Sequence, residues 1–293
     1  MKKEEYPSLY RAADEAAASS QNLYVRLIAI DLVLMVISAL ATIYNFQSND
    51  AKEWVYVISA AIMGASIILT IIVKTQKFEA RWYKGRALAE SAKTLTWRYI
   101  TGSQNFEINL TSETANAVFI SRMEELANEF KDFTQFLDAS TLAQPAISEA
   151  MQQCRSMSLN DRQSSYILNR IRDQKHWYST KATFNKRMKN FWFYTIIVCQ
   201  ALSVISSVYL IKMPSSNLNF VGLFTTISAA CLAWLQLKQH ESLSVAYTTA
   251  VIELNFIEEK SKAITSEEDF VKFVLDSENA ISREHTLWLA QKI

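Results

Sequence analysis

Apolar residues in this chain are concentrated in four runs that alternate with polar stretches. The runs extend over Leu27 to Phe46, Trp54 to Val73, Phe191 to Ile211 and Phe220 to Leu237. Each run holds about 20 residues, which as a helix matches the roughly 30 Å hydrocarbon core of a bilayer. Asp31 is the only formally charged residue inside them. The pattern predicts four transmembrane helices, paired as two hairpins by the short loops between neighbouring runs.

Residues that break helices are rare along the whole chain. It has four glycines and three prolines, and no segment alternates apolar and polar residues with period two. Neither glycine nor proline follows Val73 before Gly85, so the second and fourth spans are predicted to continue outward as uninterrupted helices. Thr111 or Ser112 can cap a helix through about Leu137, and Ser266 can begin a last helix with Asp269 in its capping box. The predicted fold class is an all-α membrane protein with four transmembrane helices in two hairpins and long helices extending into a cytosolic helical domain.

Positive charge is distributed asymmetrically about the spans. The two hairpin loops carry few charges, whereas the opposite ends of the spans are basic. The positive-inside rule places those ends in the cytoplasm, together with both chain termini. We therefore expect a multi-pass protein whose N- and C-termini are cytoplasmic. The basic residues are Arg26, Lys74, Lys77, Arg81, Lys84, Arg86, Lys186, Arg187, Lys189 and Lys238.

One layout occurs twice along the chain: an amphipathic lead-in, a hairpin, and a helix that leaves the membrane. Equivalent spans keep nearly constant spacing, from Leu27 to Phe191 and from Trp54 to Phe220. The chain is thus divided into a first unit, a cytosolic helical insertion, and a second unit with a C-terminal helix. These are residues 1–102 with spans 27–46 and 54–73, residues 103–158, and residues 159–293 with spans 191–211 and 220–237.

The helix after the second span carries a motif of aromatic and charged residues. Trp82, Arg86, Glu90, Lys93 and Trp97 are three or four positions apart and share one helix face. Arg86 and Glu90 form an i,i+4 pair, and Glu90 and Lys93 an i,i+3 pair. Two interpretations remain open: a seam inside one protomer, or a face for subunits or ligand.

This helix, of the form E-x-x-W-x-x-x-R-x-x-x-E-x-x-K-x-x-x-W-R-Y directly after a hairpin, resembles the SLATT superfamily of SMODS/SLOG-associated two-transmembrane effectors. The stretch from Ser282 to Trp288 is similar to that family's C-terminal helix, and the second unit is similar in layout, keeping Tyr247 and Glu253. The resemblance implies a tandem SLATT protein of the inner (plasma) membrane of a bacterium. It further implies a homo-oligomeric pore or ion channel for antiphage defence, responding to a nucleotide or oligonucleotide made by a cognate nucleotidyltransferase.

Polar residues form stripes at helical spacing in three of the spans. Lipid cannot satisfy such groups, so they face either a water-filled pore or a neighbouring helix packed through small residues. Asp31 is the most informative, because a carboxylate near mid-span costs about 3 kcal/mol on insertion scales. The pore-lining candidates are Asp31, Ser38, Thr42, Asn45, Ser59, Ser66, Thr70, Thr195, Ser203 and Ser206.

A basic stripe follows the second span, at Lys74, Lys77, Arg81 and Lys84. One interpretation is charge that sets topology and contacts anionic lipid of the bilayer. The other is binding of nucleotide or oligonucleotide phosphates. Further ligand-binding candidates are Arg162, Arg170 and Arg172.

Catalytic and metal-binding motifs are not evident in the sequence. His176, His240 and His285 are far apart, and no HExxH, CxxC, GxSxG or P-loop spacing occurs. We therefore expect no enzyme activity, cofactor or metal. Because the net charge is +1, we also expect no duplex DNA readout. The alternative to a pore-forming effector is a membrane-anchored interaction or scaffold protein with non-conducting spans. A small transporter is disfavoured, since no glycine- or proline-broken helix marks a substrate site.

Overall fold

The computed structural model describes residues 1–44 and 49–290. Helices account for 85% of the chain, and no strand occurs in the described ranges. The predicted all-α fold is therefore confirmed. The α-helices are α1 (Ser8–Ala41), α2 (Asn49–Gln76), α3 (Phe78–Thr101), α4 (Ser112–Glu129), α5 (Ala139–Leu142), α6 (Glu149–Ser156), α7 (Leu159–Tyr166), α8 (Asp173–Lys212), α9 (Val221–Lys238), α10 (His240–Lys260) and α11 (Glu267–Ala290).

Helices α1, α2, α8 and α9 contain residues 27–41, 54–73, 191–211 and 221–237 of the four apolar runs, and they pair as two hairpins. These helices are long and apolar enough to cross a membrane. Both α1 and α8 begin well before their spans, so in each repeat the lead-in and the first span are one helix. Large apolar side chains such as Ile67 and Ile205 remain exposed, which suits contact with lipid.

Two single residues interrupt the helices that follow the second and fourth spans. Lys77 separates α2 from α3 with φ 51°, and Gln239 separates α9 from α10 with φ 49°. Residues other than glycine rarely adopt this left-handed conformation. The prediction of uninterrupted helices was wrong at these two positions, because neither break is marked by glycine or proline.

The chain forms two compact units, and each unit takes segments from both repeats. The membrane unit comprises Asn22–Phe78 and Ala182–Val245, and holds both hairpins. Within it, the backbone N–H of Asn219 donates to the carbonyl of Ile43 at 2.8 Å, beside a bridge between Tyr44 and Leu218. These contacts join the loop ends of the two hairpins.

The extramembrane unit comprises Met1–Gln21, Glu79–Lys181 and Ala246–Ile293. Its core is aromatic, as edge-to-face packing of Trp97 on Tyr166 at 5.6 Å illustrates. Burial of such rings is the main stabilising contribution of this unit. The largest fully buried aromatic side chains are Trp97, Tyr99, Tyr166, Tyr178, Phe106, Phe119, Phe133 and Phe270.

The insertion contributes a shorter helix than predicted. Thr111 caps α4 as expected, its hydroxyl accepting from the backbone N–H of Thr114 at 3.2 Å. However, α4 ends at Glu129, and a 3-10 helix, Lys131–Phe136, replaces the last predicted turns. The tighter turn buries Phe133 against α3, where its ring lies close to Gly85.

Helix ends in this unit are fixed by local hydrogen bonds. Gly102 follows α3 with φ 72°, a conformation that glycine adopts without strain. The last helix begins as predicted, because the Ser266 hydroxyl accepts from the backbone N–H of Asp269 at 3.1 Å. These caps set the C-terminal end of α3 and the start of α11.

Candidate functional site

The first hairpin contains a polar seam between its two helices. The hydroxyl of Ser66 donates to the Asp31 carboxylate, and the hydroxyls of Ser38 and Ser59 lie 2.6 Å apart. The two pairs are seven residues apart on each helix, about two turns, so they belong to one antiparallel seam. Ser38 and Ser66 are buried, while Asp31 is half-buried. The structure thus brings together four of the predicted pore residues inside one hairpin.

The remaining pore candidates are dispersed. Thr42, Thr195 and Ser206 donate to backbone carbonyls of their own helices, at 2.9, 2.9 and 2.8 Å. Thr70 is exposed, and Asn45 lies outside the described residues. Such back-bonding satisfies a hydroxyl without a partner helix, so these positions are compatible with a surface facing lipid, protein or water.

The second hairpin has a different interior. Between its helices the Ser203 hydroxyl lies 3.1 Å from that of Thr225 and donates to the Val221 carbonyl at 3.4 Å, and the Trp192 and Trp234 rings meet edge to face at 6.4 Å. Spans three and four contain no formal charge. This hairpin is held mainly by aromatic and apolar packing.

The SLATT-like motif residues of α3 tie α3 to α1. The Arg86 guanidinium contacts Glu90 at 2.5 Å and Asp14 at 3.1 Å, and the Lys3 ammonium contacts Asp14 at 2.9 Å. Burial alone would lower the pKa of Arg86, but the two carboxylates outweigh it and raise the pKa. The i,i+4 pair expected from the spacing is therefore present as part of a wider network.

The other motif residues differ in environment. Trp82 stacks on Tyr83 with ring centroids 4.7 Å apart, and Trp97 is buried in the core. Lys93 is half-buried, and its pKa is lowered, first by burial and then by the positive charge of Arg170, despite the opposing effect of Glu90. Burial in the motif therefore disfavours the charged form of Lys93.

A fully buried ion pair lies at the centre of the extramembrane unit. The guanidinium of Arg170 donates to both carboxylate oxygens of Glu278, at 2.9 and 2.8 Å, and the side chains are 1% and 0% exposed. The hydroxyls of Tyr166 and Thr94 donate to the same carboxylate at 3.0 and 2.9 Å. Glu278 therefore joins α3, α7 and α11.

The backbone around Arg170 positions its side chain for this ion pair. Arg170 lies in a π-helical turn, Ile167–Arg172, between α7 and α8, and such turns often occur at functional positions. Burial lowers the pKa of Arg170, but the Glu278 charge and hydrogen bonds outweigh it and raise it. Among the described residues, Arg170 Nη1 has no hydrogen-bond partner.

Sequence reasoning missed Glu278, although a signal for it exists. Glu278 lies on the apolar stripe of α11, four residues after Val274 and three before Ile281, both of which are buried. A carboxylate on a core-facing stripe requires a buried cation as partner. That rule points to an internal arginine, which is Arg170.

The basic ligand candidates occupy contrasting environments. Lys74, Lys77 and Lys84 are exposed, and the Arg81 guanidinium lies 4.3 Å from the centre of the Phe136 ring. The arginines placed further along the chain are engaged by protein groups. Arg162 donates to the carbonyls of Met157 and Thr101 and to Glu267, Arg170 binds Glu278, and Arg172 binds Glu258 at 2.7 Å.

Each half of the chain matches a protein-family model. The model of "SMODS and SLOG-associating 2TM effector domain 3" matches residues 7–163, and that of "SMODS and SLOG-associating 2TM effector domain 1" matches residues 166–288. The first match runs through residues 103–158, and the junction falls at the end of α7. No curated protein and no solved structure is significantly similar to the chain. The chain therefore belongs to the SLATT family of two-transmembrane effectors and carries two of its domains in tandem.

Proposed function

We propose that this tandem SLATT protein is a defence-related effector that permeabilises the inner membrane of a bacterium through a pore made of several copies. SLATT domains are effector domains associated with SMODS and SLOG proteins, and the chain carries two of them. The first hairpin forms the conducting part, and the second hairpin is its structural support.

The observation that carries this proposal is the carboxylate of Asp31 within a span. A neutral hydroxyl, that of Ser66, donates a hydrogen bond to it. An anchor has no need of an ionisable group in lipid, and such groups commonly mark ion or proton pathways. Assembly of several copies would surround Asp31 with protein and water, which lowers its cost in the membrane.

We further propose that the extramembrane unit controls the pore in response to a nucleotide or oligonucleotide. The exposed lysines Lys74, Lys77 and Lys84 offer charge for phosphate groups. Helices α1 and α8 continue without a break from segments of the extramembrane unit into the spans. A change in packing at the start of either helix can therefore reach the membrane through a continuous helix.

Ion flux through liposomes containing the purified full-length chain tests this function. Flux is expected with the nucleotide products of a cognate nucleotidyltransferase, and little is expected without them. In cells, expression together with the neighbouring genes should collapse the membrane potential. Absence of flux with every nucleotide tested, alongside correct membrane insertion, would exclude the pore.

A membrane-anchored scaffold is the second candidate. It is favoured by the pairing of Ser38 with Ser59 at 2.6 Å, because polar groups that satisfy each other need no water-filled lumen. In this case the extramembrane helices bind a partner protein and the spans do not conduct. The same liposome experiment separates the two functions, since a scaffold leaves the ion gradient intact.

A further inference from the structure

The Arg170 guanidinium has one nitrogen that takes no part in its ion pair. Nε and Nη2 donate to the Glu278 carboxylate, so Nη1 lies on the opposite edge of the planar group. Among the described residues Nη1 has no hydrogen-bond partner, although the side chain is only 1% exposed. A buried N–H group without an acceptor is costly, and each such group in a folded protein requires an explanation.

The indole of Trp97 supplies a second donor of this kind. Trp97 is 1% exposed, and its Nε1 has no hydrogen-bond partner within the described part of the chain. Burial raises the pKa of Tyr6 to about 12, while Arg170 and Trp97 oppose the rise because both lie near the phenol oxygen. The indole N–H approaches this oxygen, but without the geometry of a full hydrogen bond. The two buried donors therefore lie around one side chain, that of Tyr6.

Lys93 brings a further positive charge to the same region. It lies four residues before Trp97 on α3, so the two side chains share one helix face. The pKa of Lys93 is lowered first by burial and then by the charge of Arg170, which places the ammonium near the guanidinium. Lys93 forms no ion pair or hydrogen bond with any residue that the structure describes.

The carboxylates of this region already bind other groups. Glu278 accepts hydrogen bonds from Arg170 through both of its oxygens. Glu90, three residues before Lys93, contacts the Arg86 guanidinium at 2.5 Å. Lys93 therefore adds positive charge that is not matched by a carboxylate of its own, beside two N–H groups that lack an acceptor.

We propose that Lys93, Arg170 and Trp97 bind one small anion of about the size of chloride. Such an ion accepts hydrogen bonds from the N–H groups and neutralises the charge of the ammonium. Because Arg170 and Trp97 are almost fully buried, the site suits a halide rather than a phosphate ester. Lys93 is half-buried and provides a route from solvent.

A bound anion links the two SLATT domains to each other. Lys93 and Trp97 belong to the first domain, and Arg170 belongs to the second. All three residues lie in the extramembrane unit. Chloride in the cytoplasm would then stabilise the contact between the domains. This role goes beyond the proposed pore and does not depend on conduction.

Thermal unfolding of the purified full-length chain tests the site, with chloride replacing glutamate at constant ionic strength. The Tm of the wild type should rise by about 2 °C or more and reach a plateau, because a ligand of the folded state stabilises it by mass action. Lys93→Met should abolish this rise. Lys272→Met removes an exposed lysine of α11 and is the matched control, which should retain the rise.

The same data contain a second comparison. In glutamate, Lys93→Met should be more stable than the wild type, because it removes a charge that burial disfavours. Chloride should narrow this difference, since only the wild type binds the ion. No rise in the wild type, or an equal rise in all three proteins, would overturn the proposal.

Bromide locates the ion without any substitution. Crystals of the full chain grown with bromide should give an anomalous scattering peak within hydrogen-bonding distance of Arg170 Nη1. A water molecule at that position, with no anomalous peak at saturating bromide, would refute the anion site and assign the buried donors to hydration.

Discussion

The two SLATT repeats differ in where they place charged groups and in how deeply those groups are buried. The first repeat has a carboxylate within a span, Asp31, and a partly solvated network on its exit helix, where the Arg86 side chain is 34% exposed. The second repeat has uncharged spans and contributes the fully buried pair of Arg170 and Glu278. Ionisable groups in lipid tend to be functional, whereas a buried pair is costly to disrupt. The difference suggests a division of labour, with the first repeat acting in the membrane and the second holding the extramembrane unit together.

Removing the buried carboxylate is expected to have the largest effect. Glu278→Ala leaves the Arg170 guanidinium buried without its partner, which costs about 3–5 kcal/mol and should unfold the extramembrane unit. Thermal unfolding of the purified full chain, followed by circular dichroism, measures this loss. Glu90→Ala in the first repeat is the control, with an expected loss of about 1 kcal/mol or less because its partner is partly solvated. Equal losses would remove the proposed contrast between the repeats.

A double substitution sharpens this result. Arg170→Met combined with Glu278→Leu removes both charges and keeps the volume, so the double variant should be much more stable than Glu278→Ala. If both variants unfold alike, packing of the π-helical turn rather than charge pairing is decisive.

The spans provide the next comparison. Asp31→Asn should lower cation flux roughly tenfold, since one charge near a conducting ion contributes on the order of 1 kcal/mol or more. Thr195 occupies the equivalent position of the second repeat, 164 residues later, and Thr195→Val should leave flux unchanged. Liposome flux normalised to inserted protein measures both. Unaltered flux for Asp31→Asn would assign Asp31 to helix packing.

The smallest expected effect concerns Lys93. Because its pKa is lowered in the folded protein, protonated Lys93 is disfavoured there relative to the unfolded chain. The penalty is complete below the folded pKa and disappears as pH rises toward the unfolded value. Lys93→Met should therefore raise stability by about 1 kcal/mol at neutral pH, with a smaller gain near pH 10. Thermal unfolding at the two pH values checks the sign, and a gain that grows with pH would contradict it.

The sequence predicted features that depend on neighbouring residues better than contacts between residues far apart in the chain. Apolar runs and caps at Thr111 and Ser266 act locally, so the spans and several helix ends followed from them. The polar stripes include both Asp31 and Ser66, so they made this pairing predictable. Their spacing alone could not distinguish a pore lining from two helices packed against each other. The Arg170–Glu278 pair joins residues 108 positions apart, and the sequence predicts ligand binding for Arg170 because no periodicity around it indicates burial.

The breaks at Lys77 and Gln239 have a consequence for mutational tolerance. In an ordinary helix glycine is among the least favourable residues and β-branched residues are acceptable. At these two positions the order is reversed, because a left-handed backbone costs an L-residue about 1–2 kcal/mol and costs glycine almost nothing. A saturation library of the chain should therefore show glycine and asparagine enriched at both sites and valine and isoleucine depleted, the opposite of the profile one helical turn away. Two positions 162 residues apart would then carry the same substitution profile in the two tandem domains.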